Sequence, residues 1–257
     1  MDLTSSGSRQ VNEKQLLRFN YGDETIAFEL IPSYTPDNRV RIKVYPDCTV
    51  QVSAPDDSCN DDVLAAVKKR SRWIWRQLQA FRTHSQSALP LQYIDGETHC
   101  YLGKRYSLQV SEAPKTFQYV KLRRGNLEVS VRQKNSQRVQ SLLNHWYKSH
   151  AQDLFSKRLK AMLQKAFWIE ESPPLRILSM RTQWGNCSST GQLTLNVHLI
   201  KAPLECIDYV ILHELCHIAE HNHSERFYRL MNEITPGWEV VKARLDSLAS
   251  RLLSNSL

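Results

Sequence analysis

The chain has 257 residues, a sequence pI near 9.2 and a formal net charge of +8. That length buries a core without help from disulfides, and the six scattered cysteines form no C-x-x-C pair, which argues against a separate structural zinc ribbon. No apolar run approaches the roughly 20 residues that span a bilayer, and the first thirty residues lack a charged-then-apolar leader pattern. A cytoplasmic protein with reduced thiols and no membrane partner is therefore expected.

Residues 1–17 are polar and are expected to be flexible. Alternation then predicts strands in TIAFEL (25–30), RVRIKVYP (39–46) and TVQVSAP (49–55), punctuated by turns at Pro36-Asp37-Asn38 and Pro46-Asp47. Ser58 or Asn60 opens one helix that continues through Phe81, with Val63, Val67, Ile74, Leu78 and Phe81 as its apolar stripe. Two strand segments follow, at 99–110 and 117–131, the second with an Arg-Gly-Asn turn. Ser136 caps a long helix to Phe167, whose buried face comprises Val139, Leu142, Leu143, Trp146, Leu154, Leu159, Met162 and Leu163. Pro173-Pro174 ends that region. LRILSMR (175–181) and QLTLNVHLI (192–200) read as two strands around a Ser-Thr-Gly turn, with 191–199 as an edge on which a peptide could add a strand. A helix over 203–219 and a final helix over 224–234 complete the reading. The order argues α+β, with no internal repeats.

Charge is uneven. Residues 1–150 hold 22 Lys/Arg against 15 Asp/Glu, and residues 151–257 hold 12 against 11. The basic amino-terminal half suits an anionic partner, a nucleic acid or a nucleotide. Lys68, Lys69, Arg70, Arg72, Arg76 and Arg82 with Trp73 and Trp75 fit either a phosphate-binding surface or a solvated face whose tryptophans pack on the sheet. The second is the favoured reading, here and for Arg123-Arg124, because basic helix faces are common.

The chemistry concentrates in His213-Glu214-Leu215-Cys216-His217. Positions four apart on a helix lie one above the other, so His213 and His217 can present two imidazoles to one ion. Glu214 sits beside them, within reach of a water on that ion. A catalytic zinc takes three protein ligands and keeps one position open. His223 is the best local candidate for the third ligand, with His221 as competitor and Glu220 a weaker one. Around the motif, Pro203 suits a first helical turn. Ile207, Val210, Ile211, Leu215 and Ile218 recur at helical spacing, and Ser224 reads as the N-cap of the next helix. Cys216 reads as a small packing residue.

Two blocks carry a resemblance. HELCHIAEHNHSERF matches a pattern H-E-L-x-H followed by a turn and N-H-S-x-x-F, filled here by Asn222, His223, Ser224 and Phe227. RTQWGNCSSTGQLTLNVHLIKAP matches R-x-x-W-G-S-C, a turn, and L-N-W-R-L-I-x-A-P, through Arg181, Trp184, Gly185, Cys187, Leu195, Asn196, Leu199, Ile200, Ala202 and Pro203. The chain thus resembles the YgjP-like metallopeptidase family of zincins, relatives of the SprT-like group. Asn186 stands in place of the usual serine, and Val197-His198 in place of Trp-Arg. Glu220 occupies the position at which metzincins carry glycine.

The resemblance implies one Zn2+ ion on His213, His217 and His223, with Glu214 as the catalytic glutamate. The implied architecture is a zincin-like catalytic domain over 136–257 behind a β-rich basic domain with one helix over 18–135. The implied activity is hydrolysis of a peptide or protein substrate by metal-activated water. His198, Arg181, Asn196 and Tyr228 are candidates for binding substrate or stabilising the transition state. Asn196 and Glu220 are candidates to orient the histidines. Two alternatives accompany this reading: a metal-dependent phosphohydrolase acting on a nucleotide-like anion, and a protease that works on DNA-associated proteins.

Overall fold

The computed structural model describes residues 15–22, 24–33, 39–45, 47–55, 58–85, 91–113 and 117–253. Most of the polar amino-terminal segment and the Pro36-Asp37-Asn38 turn lie outside them. The chain divides into two compact units, Met1–Thr83 and His84–Leu257.

The first unit is a four-stranded sheet backed by helices. Strands β1 (Gln15–Tyr21) and β2 (Glu24–Ser33) form an antiparallel hairpin, so the first strand starts ten residues before the expected one. Strand β4 (Val50–Pro55) lies parallel to β2 and antiparallel to β3 (Arg41–Val44), giving the order β1-β2-β4-β3. Alternate residues Phe19, Ile26, Phe28, Val50 and Val52 point to one face and bury Val63, Val67, Ile74 and Leu78 against it. Those four belong to two helices, α1 (Asn60–Lys69) and α2 (Ser71–Ser85), where a single one was expected. The break is at Arg70, whose backbone leaves helical geometry and closes a tight bond to the Val67 carbonyl. Trp75 packs on Tyr21 and the sheet, as the bland reading requires, whereas Trp73 is 44% exposed.

The second unit begins with another four-stranded sheet. Strands β5 (Thr98–Tyr101), β6 (Lys104–Glu112), β7 (Tyr119–Arg123) and β8 (Asn126–Val131) run in the order β5-β6-β8-β7, with the inner pair parallel and both outer pairs antiparallel. This is the topology of the first sheet. Each sheet is followed by helix that packs on it, so a ββββα pattern occurs twice where the sequence suggested no repeat. The helix here is α3 (Ser136–Leu163). Its N-cap is Asn135, whose Oδ1 accepts from the backbone N–H groups of Gln137 and Arg138. Leu108, Leu127, Val129 and Val131 of the sheet join Val139, Leu143, Tyr147 and Phe155 of α3 in one core. That shared core places residues 98–131 with the carboxy-terminal unit, so the compact division falls after Thr83 rather than near residue 135.

The same core continues into a three-stranded sheet and three helices. Strand β9 (Leu175–Leu178) pairs parallel with β11 (Leu193–Asn196), and β10 (Gly185–Cys187) pairs antiparallel with β11 across the Ser188–Gln192 turn. The order is β10-β11-β9, so the strand expected at an edge is central, and β10 and β9 are the edges among the described residues. Residues Val197–Lys201 form a 3-10 helix rather than extending the strand. Asn196 explains the change: its Oδ1 accepts from the His198 N–H and caps the turn. The β5–β6 turn holds this segment from the other side, through Leu102 and Gly103 N–H groups donated to the carbonyls of Ile200 and Lys201. Helix α4 (Leu204–Ala219) follows, then α5 (Glu225–Ile234) and α6 (Trp238–Leu253); the last is a helix that the sequence reading did not include. Helix α4 is buried on most sides, and Arg158 of α3 clamps it through two 2.7 Å bonds to Asp208. No described helix is long and apolar enough to cross a membrane. All six cysteines are free thiols.

Candidate metal centre

Helix α4 carries His213, Glu214 and His217, and the turn that follows returns His223 to the same spot. Ser224 makes that return possible: its hydroxyl accepts from the Phe227 N–H and starts α5 immediately after His223. One nitrogen from each of His213, His217 and His223 lies within 4.8 Å of the others. The Nε2 atoms of His213 and His223 are 3.0 Å apart. His221 and Glu220 are not part of this cluster.

The cluster fits a metal ion on its own chemistry. Nitrogens bound to one tetrahedral zinc at about 2.0–2.1 Å would sit about 3.4 Å apart, near the 3.0 Å between His213 and His223 and inside the 4.8 Å that bounds all three. His217 Nδ1 lies 3.1 Å from the Glu220 carbonyl, which only accepts, so the proton belongs on Nδ1 and the Nε2 lone pair is left for a ligand role. Support for the histidines thus comes from the Glu220 backbone, not its carboxylate. Burial holds the His213 imidazole near a pKa of about 3, with smaller contributions from His217, His223 and Lys242, and burial also lowers His223. Neutral imidazole is the form that binds metal.

Glu214 is 5% exposed, on the flank of α4 that packs against β10. Burial pushes its carboxyl up to about 8. A cation beside it would favour the carboxylate again. Gly185 of β10 is pressed onto this side chain: a Cβ there would lie 2.8 Å from Glu214 Oε1 and 2.9 Å from its Cγ. Cys187, two residues along the strand, has its thiol raised by burial and then by the Glu214 charge. Cys216 is fully buried and its thiol is pushed up to about 12, so it packs as a thiol.

Aromatic rings build the surroundings. Phe227 is 1% exposed, and its ring centroid is 4.9 Å from that of His213 and 4.7 Å from those of His217 and His223. It forms an apolar floor under all three imidazoles. Trp238 stacks between Tyr209 and Tyr228, and those tyrosines approach His213 and His223 respectively. Tyr209 and Trp238 are absent from the sequence reading, because the contacts that bring α4, α5 and α6 together are not written in local spacing.

The four lower-ranked candidates separate. Tyr228 is 40% exposed beside His223, placed to meet a ligand of the site. Arg181 is exposed on the segment before β10. Asn196 is fully buried and donates to the carbonyls of Met180 and Gln183, which pins that segment. His198 is 1% exposed, with Nδ1 3.2 Å from Lys201 Nζ and Nε2 3.4 Å from Ser179 Oγ. An ammonium only donates, so Nδ1 accepts and Nε2 carries the proton. This serine–histidine–lysine chain reverses the polarity of a serine–histidine–carboxylate relay. Burial, and then the Lys201 charge, depress His198 to about 3, which suits a fixed core polar group and not a base.

A helix of this kind, with a third imidazole folded back onto it and a buried carboxylate alongside, is the arrangement expected of an H-E-x-x-H metal site. The family is equally definite. The chain belongs to the YgjP-like family, whose metallopeptidase domain matches residues 38–248. It is therefore a hydrolase of the metallopeptidase group, and the family implies a divalent metal. Among curated proteins none matches. Two solved structures are similar over a limited region. The metallopeptidase zymogen of Pyrococcus abyssi abylysin is 21% identical, covering 35% of this chain and 90% of its own, with a TM-score of 0.33. The metallopeptidase zymogen of Methanocaldococcus jannaschii jannalysin is 23% identical, covering 35% and 92%, with a TM-score of 0.32.

Proposed function

We propose that this chain is a zinc-dependent metallopeptidase in which His213, His217 and His223 hold a single ion and Glu214 is the general base. The observation that carries the reading is the convergence of three imidazoles within 4.8 Å, next to a carboxylate buried against a sheet edge. When bound, zinc supplies a Lewis acid that polarises the scissile carbonyl and makes water a nucleophile near neutral pH. Glu214, buried beside the three imidazoles, would hold the proton taken from the attacking water and pass it to the leaving amine. The packed backbone of Gly185 restricts where the carboxylate can swing. Phe227 keeps water from the back of the imidazoles, and the Glu220 carbonyl fixes the His217 tautomer. Tyr228, exposed beside His223, would donate a hydrogen bond from its O–H to the oxyanion that develops. The peptide lies along β10, whose outer side is an unpaired edge of the three-stranded sheet, and adds a strand there. The experiment is hydrolysis of unstructured peptides by the full chain, with zinc, with chelator, and in Glu214→Gln. Activity should disappear with chelator, return with zinc, and fall at least about 100-fold in the variant. Full activity in Glu214→Gln would remove the base assignment.

A further inference from the structure

A second surface lies away from the metal centre, on edge strand β7 and the start of α3. Residues 117–138 carry Lys121, Arg123, Arg124, Arg132, Lys134 and Arg138 against one carboxylate, Glu128. All six cations are exposed, and among the described residues none of them is held in an ion pair. Glu128 stands opposite Lys121 in the β7–β8 register and offsets one charge. Two exposed aromatic rings stand just before these cations, at the start of β7: Phe117 is 89% exposed and Tyr119 is 38% exposed. On β7 the residues Val120 and Leu122 pair with Val129 and Leu127, which face the core. Tyr119, Lys121 and Arg123 therefore occupy the opposite, outer face. Lys121 Nζ sits 4.7 Å from the Tyr119 ring centroid, in keeping with that shared face.

At the foot of β7 a cavity of about 660 Å³ opens between Gln118, Arg132, Gln133 and the first turn of α3, and no carboxylate lines it. Arg138 Nε donates to Gln118 Oε1 at 3.0 Å, which joins this cleft to the residue between the two aromatics. The cleft does not rely on an open helix end, because Asn135 already satisfies the Gln137 and Arg138 N–H groups. Its attraction for anions comes from the two guanidiniums. A solvated face accounts for the cations but gives no role to the exposed rings at the start of β7, one of which lies under Lys121.

We infer that this surface binds single-stranded nucleic acid, with phosphates held by Arg132, Arg138, Lys121 and Arg123 and bases stacked on Phe117 and Tyr119. A single strand offers both a charged backbone and free base faces. A duplex hides its base faces and would engage the cations alone. The inference does not depend on the metal centre.

The test is fluorescence anisotropy of the full chain with labelled oligo(dT) and oligo(U), between about 50 and 200 mM salt. About four phosphate contacts at about 0.7 each predict a log–log salt slope near about −3. Phe117→Ala/Tyr119→Ala should weaken binding at least about fivefold. Arg132→Glu/Arg138→Glu should reduce the slope by about half. All four positions are at the surface, and thermal unfolding midpoints matching the parent chain verify that the variants fold. A duplex of the same length and inorganic polyphosphate should bind more weakly than the single strands. The proposal is overturned by absence of binding at the lowest salt, by equal affinity for duplex or polyphosphate, or by unchanged affinity in both double variants.

Discussion

A missing Cβ decides where the candidate base can sit. Gly185 does not need glycine for its backbone angles; it needs glycine because Glu214 occupies the space a side chain would fill. The atoms in the way run from Cγ to Oε1 of the Glu214 side chain, so Gly185→Ala would be absorbed by displacing that side chain as a whole and not by opening the fold. The expected outcome is a stability change within about 1 kcal/mol, unchanged metal content and a fall in hydrolysis of about tenfold or more, because small displacements of a catalytic group are costly. Wild-type activity in that variant would mean that the Glu214 position is not critical. At this scale the sequence was most legible where chemistry follows helical spacing. His213, Glu214 and His217 are separated by one turn, and Asn222-His223-Ser224 spells a turn and a cap. Gly185, Tyr209 and Trp238 were not legible as site neighbours, since each reaches the histidines or the glutamate through space from another element.

Among the elements, the 3-10 turn Val197–Lys201 is the instructive departure. Val, Leu and Ile in alternation read as strand, yet Asn196 caps the chain into a turn and the β5–β6 loop supplies the bonds that a ladder would have given. The result buries His198 and Lys201 together. Both are held below their ordinary pKa values, His198 at about 3 and Lys201 at about 8, with burial as the first cause. A base whose folded value is depressed takes up its proton first in the unfolded chain, so stability falls as pH drops through the unfolded value. For His198 that window runs from 6.5 down to about 3, and for Lys201 from 10.5 down to about 8. His198→Gln should therefore flatten the acid limb of a plot of unfolding free energy against pH, measured for both proteins with chelator so that the ligand histidines contribute alike. An unchanged limb would show that His198 is not the neutral core group described. Helix α6 is hard to read from sequence because it starts directly after Pro236-Gly237, a pair that signals a turn. The helical run 60–81 was read as continuous because its stripe of Val63, Val67, Ile74 and Leu78 keeps its period across the break at Arg70.

At the scale of the whole molecule the α+β class was legible from the order of periodicities, and the division into units was not. The two sheets share strand order and direction, and that order is a property of which strands pair, which alternation within one strand does not specify. The boundary moved for a related reason. Residues 98–131 look like a continuation of a β-rich half until Leu108, Leu127 and Val129 are found in the same core as α3 and α4. The basic excess divides in the same way: part of it is the exposed surface of β7 and α3, within the unit that holds the histidines. The central claim, a three-histidine metal centre on α4 and the α5 entrance, is tested most directly by metal analysis of the zinc-loaded and desalted full chain beside His223→Ala. His223 is exposed, so its replacement should leave the unfolding midpoint of the metal-free chain nearly unchanged. The account predicts a single zinc ion per wild-type chain and loss of most of it in the variant. No bound metal in the wild type, or equal metal in a folded His223→Ala protein, would contradict it.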